Sequence, residues 1–216
     1  MPAHHPLRSL CGAARRALAW AAAVLATAAL VPAASAQQLE NGSLLVASKE
    51  LSDPNFSHAV ILVLRHDDTA TIGVVINRVT SLVPAEVFPE LTADFGSYTG
   101  TLFRGGPVEP TRTLLLVRGL AAAAVSGPEI VDKVFLSVTP ESQPDVARLA
   151  DGPDDVRIYA GHALWAGGQV AREIARGAWR VVPATADIVF TTEPTRLWEQ
   201  LTTNPDGVVV DTGARP

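Results

Sequence analysis

Cysteine is all but missing from this 216-residue chain: the single one, Cys11, stands near the N-terminus. Everything downstream of it therefore lacks thiol nucleophiles, disulfide staples and thiolate zinc ligands. Histidine is nearly as scarce, with only His58, His66 and His162 beyond the pair at His4 and His5. His58 and His66 bracket one apolar run and sit about 26 Å apart at strand rise, too far to share a metal. The chain also has no GxSxG nucleophile elbow, no GxxxxGK[ST] phosphate loop and no HExxH zinc helix. No metal and no cofactor is expected. Beyond Val31 no apolar run is long enough to span a bilayer.

The first 36 residues have a character of their own. Arg8, Arg15 and Arg16 form a basic leader without an acid, Ala17 to Val31 is small or apolar throughout, and Ala34-Ser35-Ala36 is a small-residue cleavage pattern. That is the three-part layout of a secretory signal peptide, 1-36, cleaved after Ala36. Its 15-residue apolar stretch rises about 22 Å as a helix, short of the bilayer core. An uncleaved anchor and a misassigned start codon are the alternatives, and the Arg15-Arg16 pair leaves general secretory and twin-arginine export both open. The expected product is a periplasmic or secreted chain, 37-216. Removing the leader takes three arginines and no acids, so Lys+Arg falls from 17 to 14 against 22 acids, a formal charge of −8. Such an acidic chain is a poor binder of phosphate backbones, which excludes nucleic acid as a partner. With no cysteine left, its core alone must hold it together.

Within 37-216 the apolar pattern alternates with turn chemistry. Ser43 to Ser48 predicts a first strand. Asp53-Pro54-Asn55 predicts a turn, with Phe56 tucked beneath the sheet. Ala59 to Leu64 (AVILVL) reads as a strand buried on both faces. Asp67-Asp68 turns the chain, and Thr71 to Asn77 returns as the hairpin partner, Gly73 marking a bulge or close approach. Leu82 to Leu91 predicts a short helix limited by Pro84 and Pro89. Thr113 to Val117 and Lys133 to Val138 predict further strands, and Val146 and Leu149 mark a short helix within 140–152. Arg157 to Trp179 then reads as a short strand, a glycine turn holding Trp165, and an amphipathic helix with Arg172, Glu173 and Arg176 facing away from its apolar stripe. Asp187 to Phe190 reads as extended, Thr195 to Leu201 as a last helix, and Val208 to Val210 as a possible edge strand. Without repeats or linkers, the fold class expected is α+β: a single domain with a mixed β-sheet packed by a few helices.

Three polar-glycine clusters stand out. Asn77-Arg78 ends the central hairpin, Arg104-Gly105-Gly106-Pro107 predicts a turn exposing amides beside a guanidinium, and Gly167-Gly168-Gln169 opens a helix. Together they predict donors gathered round a small anion, although loop-tying and close packing account for the same residues. His162 and Trp165 lie between these clusters in sequence. His162 serves either as a hydrogen-bonded structural residue or as an acid-base group. Ser126, Ser137 and Ser142 have no base partner visible in the sequence.

Several blocks, in order, resemble the YqgE/AlgH family of bacterial proteins: GSLLVAS (Gly42 to Ser48), DPNFSHAVILVL (Asp53 to Leu64), GVVINR (Gly73 to Arg78), RGGPV (Arg104 to Val108) and the stretch from Arg157 to Trp179. The resemblance implies one α+β domain around a mixed sheet and brings neither catalytic residues nor a cofactor. A role in transcriptional control of alginate synthesis has been attached to some members. Two departures count against carrying that role over. His162 and Leu164 stand where the family has an aromatic and a glycine before its tryptophan, and typical members look cytoplasmic. The expectation is an exported, non-enzymatic domain binding an unknown protein or a small anionic ligand. A divergent hydrolase using His162 and a regulatory protein are the alternatives.

Overall fold

The computed structural model describes residues 38–88, 98–119, 127–138 and 154–204, with Ala122 and Val125 between. All lie in the compact unit Gln37–Pro216. The leader, the helix expected within 140–152, the strand expected at Val208 to Val210, Ser126 and Ser142 fall outside the described residues.

Among the described residues there are nine strands: β1 Ser43–Ala47, β2 Val60–His66, β3 Ala70–Val75, β4 Leu102–Arg104, β5 Val108–Val117, β6 Glu129–Val131, β7 Val134–Ser137, β8 Val156–Ala166 and β9 Trp179–Pro183. Their order is β6-β7-β5-β8-β3-β2-β1-β9, with β4 added against β8. Only β4–β8 is parallel; the other strand pairings are antiparallel. The sheet curls strongly into an antiparallel half-barrel. This corrects the α+β expectation, because the unit is closer to all-β. Its described helices are α1 Pro84–Val87, α2 Gln169–Ala175, α3 Ala186–Val189 and α4 Leu197–Thr203, with a 3₁₀ turn at Pro194–Arg196. None exceeds seven residues, so each covers little of the core: α2 fully buries only Val170, and α4 Leu197 and Leu201.

The period-2 pattern explains why the strands dominate. In β1 and β2, Leu44, Val46, Val60, Leu62 and Leu64 face one apolar cluster, while Leu45, Ile61 and Val63 face another. Both sheet faces are thus covered, as the unbroken run AVILVL requires. Each such side chain contributes about 1.5–3 kcal/mol on burial. The β2–β3 hairpin forms as expected, with Ile61 opposite Val75 and a bulge in β2 between Val63 and Arg65. Phe56 stacks on Trp165 at 5.7 Å and meets Trp179 edge-on at 5.8 Å.

Two other local expectations are corrected. The strand before the helix is not short: β8 runs eleven residues, Val156–Ala166, straight through Gly161, so Trp165 lies on a strand and the turn begins only at Gly167. Gly161 permits this because its φ is +72° and an added Cβ would stand 2.6 Å from the Gly106 carbonyl oxygen. The stretch Asp187 to Phe190 is largely helical rather than extended, because Thr185 Oγ1 accepts from the Ile188 N–H at 3.3 Å and caps α3.

Candidate functional site

β4 and the chain after β3 bring the first two polar clusters together. The Arg104 N–H donates to the Arg78 carbonyl at 2.9 Å, and burial, then the neighbouring Arg104 charge, lowers the Arg78 guanidinium from its ordinary value. Arg78 Nη2 donates to the carbonyls of Pro54 (3.4 Å) and Ser57 (3.2 Å), holding the turn that carries Phe56. The Arg104 side chain is exposed and has no hydrogen bond or ion pair among the described residues. Asn77, 8% exposed, is committed to the fold: Oδ1 accepts from the Val60 N–H and Nδ2 donates to the His58 carbonyl, both at 2.9 Å.

Of the adjoining glycines, Gly105 does not present a free amide. Gly105 bridges two strands, its N–H donating to Ala160 at 2.8 Å and its carbonyl accepting from Val75 at 2.7 Å. A Cβ on Gly106 would lie 2.2 Å from the His162 carbonyl oxygen. These glycines let the link from β4 to β5 press directly onto β8. The turn expected to expose donors is a packing joint.

His162 follows Gly161 on β8, opposite Val108. Its ring is mostly covered, and Nδ1 lies 3.8 Å from Glu109 Oε2, which Arg112 also engages at 3.2 Å. Burial lowers the His162 pKa below its ordinary value, Glu109 acts to raise it and Arg112 to lower it. No hydroxyl hydrogen-bonds to His162 among the described residues. Two hydroxyl–imidazole contacts exist elsewhere: Ser57 Oγ with His58 Nδ1 at 3.2 Å, and Thr71 Oγ1 with His66 Nδ1 at 2.7 Å. Thr71 is 2% exposed, out of a substrate's reach.

The third cluster sits at the other end of β8. Gly168, with φ +70°, precedes α2, and a Cβ on Gly167 would lie 2.3 Å from the Asp68 carbonyl oxygen. Gln169 Oε1 accepts from the Ala166 N–H at 3.2 Å and its Nε2 donates to Glu173 Oε1 at 3.0 Å. Glu173 is the residue that sequence reasoning missed. Instead of facing away, its Oε2 accepts from the indole N–H groups of Trp165 (3.0 Å) and Trp179 (2.8 Å), whose rings meet at 5.9 Å. Buried indoles need an acceptor, and a carboxylate one turn into α2 supplies both. Trp165, 2% exposed, is locked here rather than offered to a ligand. The predicted residues thus fall into two groups. Asn77, Arg78, Arg104, Gly105, Gly106 and His162 cluster about the β3 end and the bend of β8, and Trp165, Gly167, Gly168 and Gln169 belong to the indole hub.

Two clefts share Thr195. One, of about 530 Å³, is lined by Val79, Phe103, Arg157, Thr191 and Thr192 among others. The second, of about 420 Å³, is lined by Lys49, His58, Asn77, Trp198 and Glu199 among others. His58 meets Trp198 edge-on at 4.1 Å, and Trp198 Nε1 donates to the Ala47 carbonyl at 2.8 Å. Among the described residues, three or more His, Cys, Asp or Glu side chains do not converge as a metal site would need.

The comparisons agree with this architecture. The family model described as AlgH-like (DUF179) matches residues 44–207. A UPF0301 protein of Streptomyces avermitilis is 36% identical over 170 residues, covering 74% of this chain and 83% of the relative. A UPF0301 protein of Thermobifida fusca is 37% identical over 175 residues, with 74% and 84% covered. Among solved structures, protein DIP2367 from Corynebacterium diphtheriae superposes with a TM-score of 0.63 at 27% identity, covering 76% of this chain and 87% of the other. The AlgH protein from Pseudomonas aeruginosa gives 0.60 at 27% identity, with 75% and 87% covered. The chain belongs to the AlgH-like, or UPF0301, family.

Proposed function

We propose that this protein is an exported, non-catalytic binding domain that recognises a small anionic ligand or an acidic partner through the Arg78–Arg104 pair. The carrying observation is the exposed Arg104 guanidinium, unpaired among the described residues and close enough to Arg78 for the two charges to oppose each other. An oxyanion placed between them would relieve that repulsion and accept charge-assisted hydrogen bonds. Export is supported by the basic leader, apolar run and Ala34-Ser35-Ala36 pattern.

The binding reading predicts that inorganic phosphate raises the melting temperature of the parent more than sodium chloride of equal ionic strength, since ligands of the folded state stabilise it by mass action. Arg104→Ala should reduce or remove the difference and His162→Ala should leave it. Equal melting in both salts would sink the reading. A divergent hydrolase is the second reading, favoured by one observation, the carboxylate of Glu109 beside His162 Nδ1 at 3.8 Å. Turnover of generic ester or phosphoester substrates that disappears in a folded His162→Ala variant would establish it instead.

A further inference from the structure

The cleft of about 530 Å³ has a buried cation in its wall. Arg157 enters β8 only 6% exposed, and no carboxylate pairs with it among the described residues. Nη2 donates to the Thr191 carbonyl, and the guanidinium lies over Phe103 at 5.1 Å and Phe190 at 5.4 Å. Among the described residues, neither Nη1 nor the neighbouring Tyr159 Oη has a hydrogen bond of good geometry. Burial pushes the Tyr159 phenol up to about 12, while the Arg157 charge and a side-chain hydrogen-bonding contact with Arg157 act to lower it. One backbone carbonyl and two ring faces compensate a buried cation only in part, because buried charges are ordinarily matched by an opposite charge.

We infer that this cleft is an anion site, separate from the Arg78–Arg104 pair, and that it takes the carboxylate or phosphate group of a small organic acid. Arg157 places its charge in the wall of the cleft, and Thr101, Thr192 and Thr195 line the same cleft as residues that carry neutral donors. Val79, 36% exposed, and Phe103 form an apolar wall for the carbon portion. The remaining charges limit the ligand's size and charge. Glu193 is engaged by Arg196 at 3.0 Å and by Gln200 at 3.4 Å, and Asp154 is exposed in the lining. Arg196 lines the same cleft and offsets Glu193, which leaves the Asp154 carboxylate to disfavour highly charged anions. The volume falls within the usual range of small-molecule sites.

The test is a titration of the ¹⁵N-labelled protein with sodium butyrate and, separately, inorganic phosphate, against sodium chloride at matched ionic strength. Saturable amide shifts centred on Thr191 to Arg196 are expected with at least one of the two, and the tighter binder tells whether carboxylate or phosphate is preferred. Arg157→Gln should weaken that binding at least tenfold. Should Arg157→Gln fail to fold, Thr192→Trp fills the mouth of the cleft from an exposed position and should abolish the shifts. Shifts no larger than those in chloride, or binding unchanged in Thr192→Trp, would overturn the inference. Shifts confined to Arg78 and Arg104 would also overturn it while leaving the surface pair intact as a reading.

Discussion

Glu173 is the residue on which most of the local structure depends. It accepts from two indoles and from Gln169, so removing it leaves buried N–H groups without a partner. An unsatisfied buried donor costs about 1–3 kcal/mol. Glu173→Ala is therefore expected to lose about 2–4 kcal/mol in urea denaturation, and Trp165→Ala about 3 kcal/mol or more as a large-to-small core change. Glu173→Gln, which keeps an acceptor oxygen, should fall between Glu173→Ala and the parent. A Glu173→Ala midpoint equal to the parent's would mean that water satisfies the indoles as well as the carboxylate does. Glu173 was hidden from sequence reasoning because the helical stripe of Val170 and Ile174 puts it on the polar side. Only the fold brings Trp179 back over that side.

His162 carries a pH prediction. Its folded pKa lies below the ordinary 6.5, so just below pH 6.5 the unfolded chain binds more protons than the folded one. The stability its neutral form contributes is complete above pH 6.5 and is lost as pH falls through the window beneath it. Melting curves from about pH 8 to about pH 5 should show this acid-side slope, and His162→Gln should flatten it. An unchanged slope would assign the loss to other groups.

Among elements, the joint between the β4–β5 link and β8 sets the architecture. Gly106→Ala would drive a methyl group into the His162 backbone, whereas at Gly177 an added Cβ meets nothing within 4 Å and faces only the strain of a φ of +77°. Expression and melting of the two variants should differ sharply, with Gly106→Ala unfolded or severely destabilised and Gly177→Ala reduced by about 1 kcal/mol or somewhat more. The capping of α3 belongs to the same scale: Thr185→Ala should cost about 1 kcal/mol.

The elements also show what the sequence made legible. The β2–β3 hairpin could be read because AVILVL and TIGVVIN are β-branched, apolar and joined by Asp67-Asp68, all local signals. The length of β8 could not, because Gly161 resembles a strand end in sequence and continues the strand only by using positive φ against Gly106. The all-β character is hidden in the sequence for a related reason. Short helical periodicities were visible, but a four- to seven-residue helix adds little core, and the curl of the sheet arises from pairings distant in sequence. At the site, Arg78 and Arg104 could be picked out as cations beside glycines. Arg157 could not, because an arginine opening a strand normally faces water, and its burial comes from Phe103 and Phe190.

At the scale of the whole molecule, we propose an exported sheet domain that binds anions through its guanidiniums. The leader predicts that cells expressing a tagged chain hold it outside the cytoplasm with a mature N-terminus at Gln37. A full-length cytoplasmic protein would remove export from the account and favour a regulatory role. What sets Arg104 apart from the likewise exposed Arg172 and Arg176 is the Arg78 charge beside it.

The most direct test of the central claim is the melting temperature of the parent and of Arg104→Ala in inorganic phosphate, each referred to sodium chloride of equal ionic strength. The account predicts a phosphate-specific rise in the parent that saturates with concentration and is reduced or lost in Arg104→Ala, any residue of it belonging to the Arg157 cleft. A parent that melts identically in both salts, or an Arg104→Ala variant that keeps the whole rise, would contradict it.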